Sequence, residues 1–166
     1  MLLYTGLRRG DAVRLGRQHV RNGIATIKTE KSGFTMEVSL PVLPVLQETL
    51  EVGPCGDMTF IVGANGRPLT KESFGNEFKA ACKAAGVPGS AHGVRKIAAT
   101  RAANAGATEA ELDAIFGWTD RKMAAHYTQS ANRRRLAAQA MEKLNVSGTS
   151  IPAPSYPVRA KRAKPK

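Results

Sequence analysis

The sequence predicts a mainly α fold that contains one small antiparallel β-sheet of three strands. Short apolar segments lie between residues 18 and 40, separated by turn signals at Asn22-Gly23 and at residues 30–33. After residue 40 the apolar positions recur mostly at helical spacing, between residues that typically begin or end helices. With 166 residues, the chain is long enough for one domain with an apolar core. These observations predict the fold class and leave the topology open.

The N-terminal part is predicted to form two short helical segments and the sheet. Residues 1–4 run into Thr5-Gly6 as the last turn of a helix would, and residues 7–15 carry inward-facing apolar residues of a short helix. After the second turn, Met36, Val38 and Leu40 alternate with other residues on one face, which indicates a strand. The predicted strands cover residues 18–21, 24–29 and 35–40.

Six helices are predicted after the sheet. Pro41 suits the first turn of the first of them. Thr70, Thr108 and Asp120 are N-cap candidates, and the residues after Thr108 complete a near capping box. Gly117 is placed to end the helix that Thr108 begins. The predicted helices cover residues 41–50, 70–85, 92–105, 108–116, 120–127 and 130–144.

The charge balance favours a polyanionic partner. The chain has 25 Lys and Arg residues against 13 Asp and Glu residues, which gives a net charge of +12. Residues 151–166 contribute five of the positive charges and no acid, so the rest of the chain still carries +7. Nucleic acid is the commonest partner of such a chain, and a merely basic protein with a basic tail is the alternative.

Other functional classes are disfavoured. No apolar run approaches the ~18 residues that a membrane span needs, so no membrane partner is expected. Cys55 and Cys82 belong to no CxxC motif and are too few for a metal framework, which predicts reduced cysteines in a cytoplasmic protein without a metal. The glycines of residues 53–56 and 63–66 lack the Lys-Ser/Thr pair of nucleotide-binding loops, so no cofactor is expected. Ser, Gly, Pro and basic residues predict a disordered basic tail over residues 147–166.

Residues suited to phosphodiester chemistry occur along the chain in one order. Metal-free cleavage needs cations on the non-bridging oxygens, a general acid at the leaving oxygen and an activated nucleophile. Arginine suits the first task because its planar fork binds phosphate through two parallel hydrogen bonds. One member of this set would indicate little, whereas the ordered set indicates cleavage by a tyrosine nucleophile. In chain order the set is Arg8, Lys28 or Lys31, His92, Arg95, Trp118 and Tyr127.

The ordered set resembles the catalytic domain of the tyrosine recombinases, the phage-integrase family, over about residues 2–144. The resemblance implies site-specific DNA recombination or integration, in which strands are cleaved and rejoined through a 3'-phosphotyrosyl intermediate without metal or ATP. It implies double-stranded DNA as the partner and self-association on that DNA. Family members usually carry an N-terminal helical domain that closes around the duplex, so we expect residues 1–146 to be an N-terminally truncated catalytic domain.

The resemblance gives direct roles to four residues. Arg8 and Arg95 would clamp the scissile phosphate, and Tyr127 would attack phosphorus. His92 precedes Arg95 by three positions, which places both on one helix face, and it would accept or relay the tyrosine proton. Lys96 stands where a second histidine often follows the arginine, and it would add a phosphate contact.

The hairpin lysine, Trp118 and Asp11 each have two interpretations. The family lysine protonates the leaving 5'-oxygen; Lys28 fits the usual spacing best, and Lys31 is the alternative. Trp118 stands where histidine is usual, and its indole N–H would donate to a phosphate oxygen, whereas a plain core tryptophan is the competing interpretation. Asp11 lies where an acid usually supports the first arginine, and a helix-capping or surface role is equally open.

Two other functions are compatible with the same residues. A DNA-binding module of this fold would have little activity because the N-terminal clamp domain is absent. A type IB topoisomerase-like enzyme would share the chemistry, although the short chain argues against it. A covalent DNA adduct would separate both enzymes from the binding module, and strand exchange would separate the recombinase from the topoisomerase.

Overall fold

Helices dominate the computed structural model, which describes residues 1–131 and 133–146. The described α-helices are α1 (Leu2–Thr5), α2 (Arg9–Ala12), α3 (Pro44–Val52), α4 (Lys71–Ala84), α5 (Ala91–Asn104), α6 (Glu109–Phe116), α7 (Arg121–Ser130) and α8 (Arg133–Val146). The strands are β1 (Val20–Arg21), β2 (Ile24–Lys28) and β3 (Glu37–Pro41), and short 3-10 helices cover Arg17–His19 and Glu30–Ser32. The predicted mainly α fold with one small sheet is therefore confirmed. The predicted tail over residues 147–166 lies outside the described residues.

The three strands form one antiparallel sheet in the order β1-β2-β3. Asn22 and Gly23 both have positive φ, 51° and 74°, as a tight two-residue hairpin turn between β1 and β2 requires. β2 pairs with β3 along its whole length, beginning with Ile24 opposite Pro41. Alternate residues of β2 and β3 are buried, so one face of the sheet packs on the core and the other faces outward.

Two predicted elements near the N terminus are shorter than expected. In the strand predicted over residues 18–21, the first two residues belong to a 3-10 helix, and only the last two pair with β2. The helix predicted over residues 7–15 is the single turn α2, although its leucines and valine are buried as expected. Apolar spacing over so few residues is satisfied by an irregular buried segment as well as by a helix, so the pattern predicted burial better than conformation.

The helix after the sheet begins later than predicted. Pro41 is the last residue of β3, which is an edge strand, where the missing N–H of proline is tolerated. Pro44 instead occupies the first turn of α3. Both prolines carry the same local signal for a helix start, and the pairing of Pro41 with Ile24 decides between them.

Side-chain caps define the starts of the later helices. Thr70 and Asp120 accept hydrogen bonds from backbone N–H groups in the first turns of α4 and α7. Thr108 and Glu111 form the reciprocal capping box of α6. Ser90, which the prediction missed, caps α5 and starts it one residue earlier than expected. The starts of α4, α5, α6 and α7 therefore follow local sequence signals closely.

Two clusters of buried side chains hold the first unit, Met1–Ala131, together. One cluster joins α1 and the segment around α2 to the buried face of the sheet. The other lies among α5, α6 and α7 and includes Leu112, Phe116 and Trp118. The buried face of α5 consists largely of alanines, which allow α1 and α7 to pack closely against it. The C-terminal ends of α1 and α6 therefore meet beside α5.

The second unit covers Asn132–Lys166, and its described part is α8. The last helix was predicted to start at Ser130, but Ser130 is the last residue of α7. α8 begins later, at Arg133. Leu136, Met141 and Leu144 of its apolar stripe are exposed. None of the described helices is both long and apolar enough to cross a membrane.

Candidate active site

Arg8 lies in the tight connection between α1 and α2. α1 ends at Gly6, whose φ of 60° closes the helix in the left-handed conformation. A Cβ on Gly6 would meet Cε1 of Phe116 at 2.3 Å, so only glycine fits against the end of α6. The chain then buries Leu7 and leaves the Arg8 side chain half-buried at the start of α2. This turn sets the position from which Arg8 projects.

Arg95 is the buried centre of the site, with 6% of its surface exposed. Its Nη1 donates to the carbonyl of Gly6, and its Nη2 donates to the carbonyl of Phe116 at 2.7 Å. Both carbonyls lie at C-terminal ends of helices, where such groups lack partners within the helix. A guanidinium has five N–H groups, so these two acceptors among the described residues leave three N–H groups for an anion. Arg95 thus joins α5 to the ends of α1 and α6 and keeps hydrogen-bonding capacity.

The positive charge of Arg95 persists despite its burial. Burial first, and then the positive charge of Arg8, lower the pKa of its guanidinium to about 10. Asp11 and Tyr127 act on this pKa in the opposite direction. The group therefore stays charged at neutral pH, close to a second arginine whose charge it repels. A phosphate held between Arg8 and Arg95 would relieve that repulsion.

Trp118 and Tyr127 form an aromatic stack beside Arg95. The ring centroids of Phe116 and Trp118 are 4.7 Å apart, and those of Trp118 and Tyr127 are 5.3 Å apart, with both pairs nearly parallel. The guanidinium of Arg95 lies 5.8 Å from the centroid of the Trp118 ring. Trp118 is only 8% exposed, so its ring is part of the core, yet the residue also lines a surface depression. The stack holds the half-buried Tyr127 on α7 in a defined orientation.

Two neighbouring depressions in the surface connect the predicted site residues. Arg8 and Lys31 line both depressions. Trp118 lines the first, and His92 and Arg95 line the second. These five residues, which come from four separate segments of the chain, therefore border one connected region. The tyrosine lies next to that region through its stacking on the tryptophan.

Lys28 does not border this region. It is exposed at the end of β2, on the face opposite the buried Ala25 and Ile27. Lys31 follows in the 3-10 helix of the turn and lines both depressions. The geometry therefore favours Lys31 as the hairpin lysine of the site, and the choice between the two lysines stays a prediction.

Asp11 is buried, with 1% of its surface exposed, so the alternative of a surface role is wrong. Its Oδ1 accepts hydrogen bonds from Nη2 of Arg14 and from the backbone N–H of Glu30, both at 2.8 Å. The acid thus binds Arg14 and the turn that carries Lys31. Lys96 is exposed on α5, and its phosphate contact stays a prediction.

Two interactions near the site were missed by sequence reasoning. Arg14 lies three residues after Asp11, and this spacing of opposite charges was a usable signal. Lys71 pairs with Glu30 at 2.6 Å and lines the second depression, but no local pattern links residues 41 positions apart. Among residues 1–131 and 133–146, no three His, Cys, Asp or Glu side chains form a group that could hold a metal ion.

Comparisons with known proteins identify the family and the fold of the chain. A family model described as the phage integrase family matches residues 1–134. A dimer of lambda integrase (75–356) bound to a COC' core site aligns with a TM-score of 0.65 and 22% identity, covering 80% of this chain and 50% of that one. XerA recombinase aligns with a TM-score of 0.63 and 17% identity, covering 86% and 53% of the two chains. No curated protein matches the chain.

A transposon protein has the same fold. The Tn1549 transposon integrase (aa 82–397), in complex with circular intermediate DNA, aligns with a TM-score of 0.64 and 21% identity, covering 86% of this chain and 57% of that one. The chain spans about half the length of these solved structures. The structural similarity shows a shared fold, that of the tyrosine-recombinase catalytic domain, and the family model covers most of the sequence. The chain therefore belongs to the phage integrase family, the tyrosine recombinases.

Proposed function

We propose that this chain is the catalytic domain of a site-specific DNA recombinase or integrase, which acts in the cytoplasm and cleaves and rejoins DNA strands through a 3'-phosphotyrosyl link to Tyr127. The reaction needs neither metal nor ATP. One observation carries the proposal: the buried Arg95 lies beside the Trp118–Tyr127 stack and shares a surface depression with Arg8. A nucleophile and two phosphate-binding cations are thereby neighbours.

The two arginines hold the scissile phosphate. Arg95 offers the N–H groups that its two backbone carbonyl partners leave unused, and Arg8 approaches from the rim of the same depression. Fixed guanidinium groups neutralise the charge that builds up on the non-bridging oxygens during attack, without having to reorganise. Trp118, which lines the neighbouring depression, donates its indole N–H to the same phosphate.

Tyr127 attacks phosphorus, and the proton balance is completed by two further residues. The phenolic oxygen forms a bond to phosphorus, the bond from phosphorus to the 5'-oxygen breaks, and His92 accepts the phenolic proton. Lys31 gives a proton to the leaving 5'-oxygen, with Lys28 as the alternative donor. The phosphotyrosyl ester conserves the energy of the broken bond, so attack by a 5'-hydroxyl rejoins a strand without an energy source.

Double-stranded DNA is the proposed partner, because the net charge is +12 and basic residues surround the site. Lys71 and Lys79 of α4 line the second depression together with the proposed catalytic residues. Similar proteins have been solved in assemblies on DNA: lambda integrase as a dimer on a core site and as a tetramer on a Holliday junction. We extend this to self-association of the present chain on DNA.

A nicked suicide duplex tests the proposal. The full chain should form a covalent adduct with the duplex that survives denaturant, because the short fragment that bears the new 5'-hydroxyl diffuses away and cannot rejoin the strand. Tyr127→Phe should abolish the adduct and leave non-covalent binding nearly unchanged, since only one hydroxyl is removed. Tyr4→Phe, at a half-buried tyrosine of α1, is the matched control and should retain the adduct. An adduct with Tyr127→Phe would place the nucleophile elsewhere, and duplex binding without any adduct would favour the DNA-binding module.

A further inference from the structure

Lys31 lies in the turn between β2 and β3. Hydrogen bonds within this turn do not attach it to the rest of the unit. Within the turn, the backbone N–H of Phe34 donates to the carbonyl of Thr29 at 3.0 Å, and the Ser32 hydroxyl bridges Thr29 and Met36. These bonds define the shape of the turn. They do not determine where the turn lies relative to the segment that bears Arg8.

Arg14 holds the turn from both of its ends. Its Nη2 donates to the carbonyl of Lys28 at 2.7 Å, immediately before the turn. Its guanidinium lies 4.8 Å from the centroid of the Phe34 ring, at the far end of the turn. Its Nε donates to the carbonyl of Gly10, which anchors the arginine to α2. In the sequence, Lys31 lies midway between Lys28 and Phe34, the two residues that Arg14 contacts.

Asp11 completes the attachment. One carboxylate oxygen of this buried acid accepts hydrogen bonds from Arg14 and from the backbone N–H of Glu30, the residue before Lys31. Asp11 lies in the same short segment as Arg8, three residues later. The acid and its arginine therefore connect the residue that binds the phosphate to the residue that protonates its leaving group.

We infer that Arg14, acting with Asp11, is a positioning residue that holds the Lys31 ammonium group at the 5'-oxygen of a phosphate bound by Arg8. The inference rests on the proposed function with Lys31 as general acid. Proton transfer requires the donor to lie within hydrogen-bond reach of the leaving oxygen. A side chain displaced by 1 Å loses rate even though it is still present, and such a displacement can slow an enzyme by about 100-fold.

A pair of suicide duplexes that differ in one atom tests the inference. One carries the ordinary scissile phosphate, and in the other sulfur replaces the bridging 5'-oxygen. The 5'-thiolate leaves without a proton because a thiol is far more acidic than an alcohol, so a defect in general-acid catalysis disappears on the sulfur duplex. On the ordinary duplex, Arg14→Ala and Lys31→Ala should both slow adduct formation, the former by up to about 100-fold.

The expected result is that the sulfur duplex restores most of the rate for both variants. Arg14→Lys, which keeps the charge but cannot bind several partners through a planar fork, should be intermediate on the ordinary duplex. Arg21→Ala removes the same charge from an exposed position in β1 and should behave as the unmodified chain on both duplexes. An Arg14→Ala defect of equal size on both duplexes would overturn the inference, because it would show a general structural role.

Hydrogen exchange of the free chain gives a test that does not require cleavage. Arg14→Ala should accelerate exchange of the Glu30 amide and of the following turn, while the amides that pair β2 with β3 stay protected. Arg21→Ala should change neither. Unchanged exchange at Glu30 would overturn the inference even if the adduct forms. Absence of any adduct with the unmodified chain would count against the proposed function, and the exchange result would then decide separately whether Arg14 holds the turn.

Discussion

Replacing Gly6 by alanine should unfold the first unit at markedly lower denaturant concentration. Gly6 has φ of 60°, and forcing a residue with a Cβ into this conformation costs roughly 1–2 kcal/mol. The new Cβ would lie 2.3 Å from Cε1 of Phe116, and such overpacking of a core costs roughly a further 1–3 kcal/mol. We therefore expect the free energy of unfolding to fall by about 2–5 kcal/mol.

Gly86→Ala separates the two contributions. Gly86 has a similar φ of 65°, but nothing lies within 4 Å of the position where its Cβ would stand. The free energy of unfolding of Gly86→Ala should therefore fall only by the cost of a Cβ at positive φ, roughly 1–2 kcal/mol. The difference between the variants then measures the contact with Phe116, and adding Phe116→Leu to Gly6→Ala should recover part of it.

Urea unfolding followed by fluorescence is a suitable assay because Trp118 is the only tryptophan and stacks on Phe116. To relieve the contact with Phe116, the backbone at residue 6 has to shift in Gly6→Ala. This shift should move the carbonyl of residue 6 away from Arg95, so adduct formation should fall as well. An equal decrease in the free energy of unfolding for Gly6→Ala and Gly86→Ala would refute the argument, because the contact with Phe116 would then not affect stability. Full adduct formation with Gly6→Ala would refute the link to Arg95.

Three further predictions concern the charge of the chain and the start of α6. Binding of the full chain to a labelled duplex should weaken steeply as salt rises, because each phosphate contact releases counterions; affinity that is tight and independent of salt would contradict this. Thr108→Ala should lower the free energy of unfolding by about 1 kcal/mol at neutral pH, because the capping box is lost. Hydrogen bonds from Thr108 lower the pKa of Glu111, so the carboxylate stabilises the fold above its ordinary pKa of 4.5. The stability difference between the unmodified chain and Glu111→Gln should therefore shrink as the pH falls below that value, and a constant difference would contradict the capping role.

Helix starts could be predicted from the sequence because capping depends on residues within one turn. Thr108 and its capping box are an example, since donor and acceptor are three positions apart. The start of α3 could not be predicted in the same way, because Pro41 and Pro44 carry the same signal. Only the pairing of Pro41 with Ile24, a contact between strands, assigns the first proline to β3.

The composition of the site could be predicted, but its internal contacts could not. Arg95 was identified by its spacing from His92, whereas its carbonyl partner on Gly6 lies 89 positions away and depends on how α1 packs on α5. The alternation of buried and exposed residues in β2 bears on the choice between Lys28 and Lys31, which stays a prediction. Apolar residues at alternate positions of β2 place Lys28 on its outward face, and a turn residue is free of that alternation.

The two interpretations of Trp118 can be separated by Trp118→Phe. Phenylalanine keeps an aromatic ring between Phe116 and Tyr127, so the free energy of unfolding should fall far less than the roughly 3–5 kcal/mol expected for Trp118→Ala. The substitution removes the indole N–H, and a hydrogen bond to a charged group contributes about 1.5–3 kcal/mol. If this bond forms in the transition state, adduct formation should slow by roughly 10- to 100-fold. Unchanged cleavage by Trp118→Phe, with a large defect in Trp118→Ala, would show that the tryptophan acts only by packing against the nucleophile.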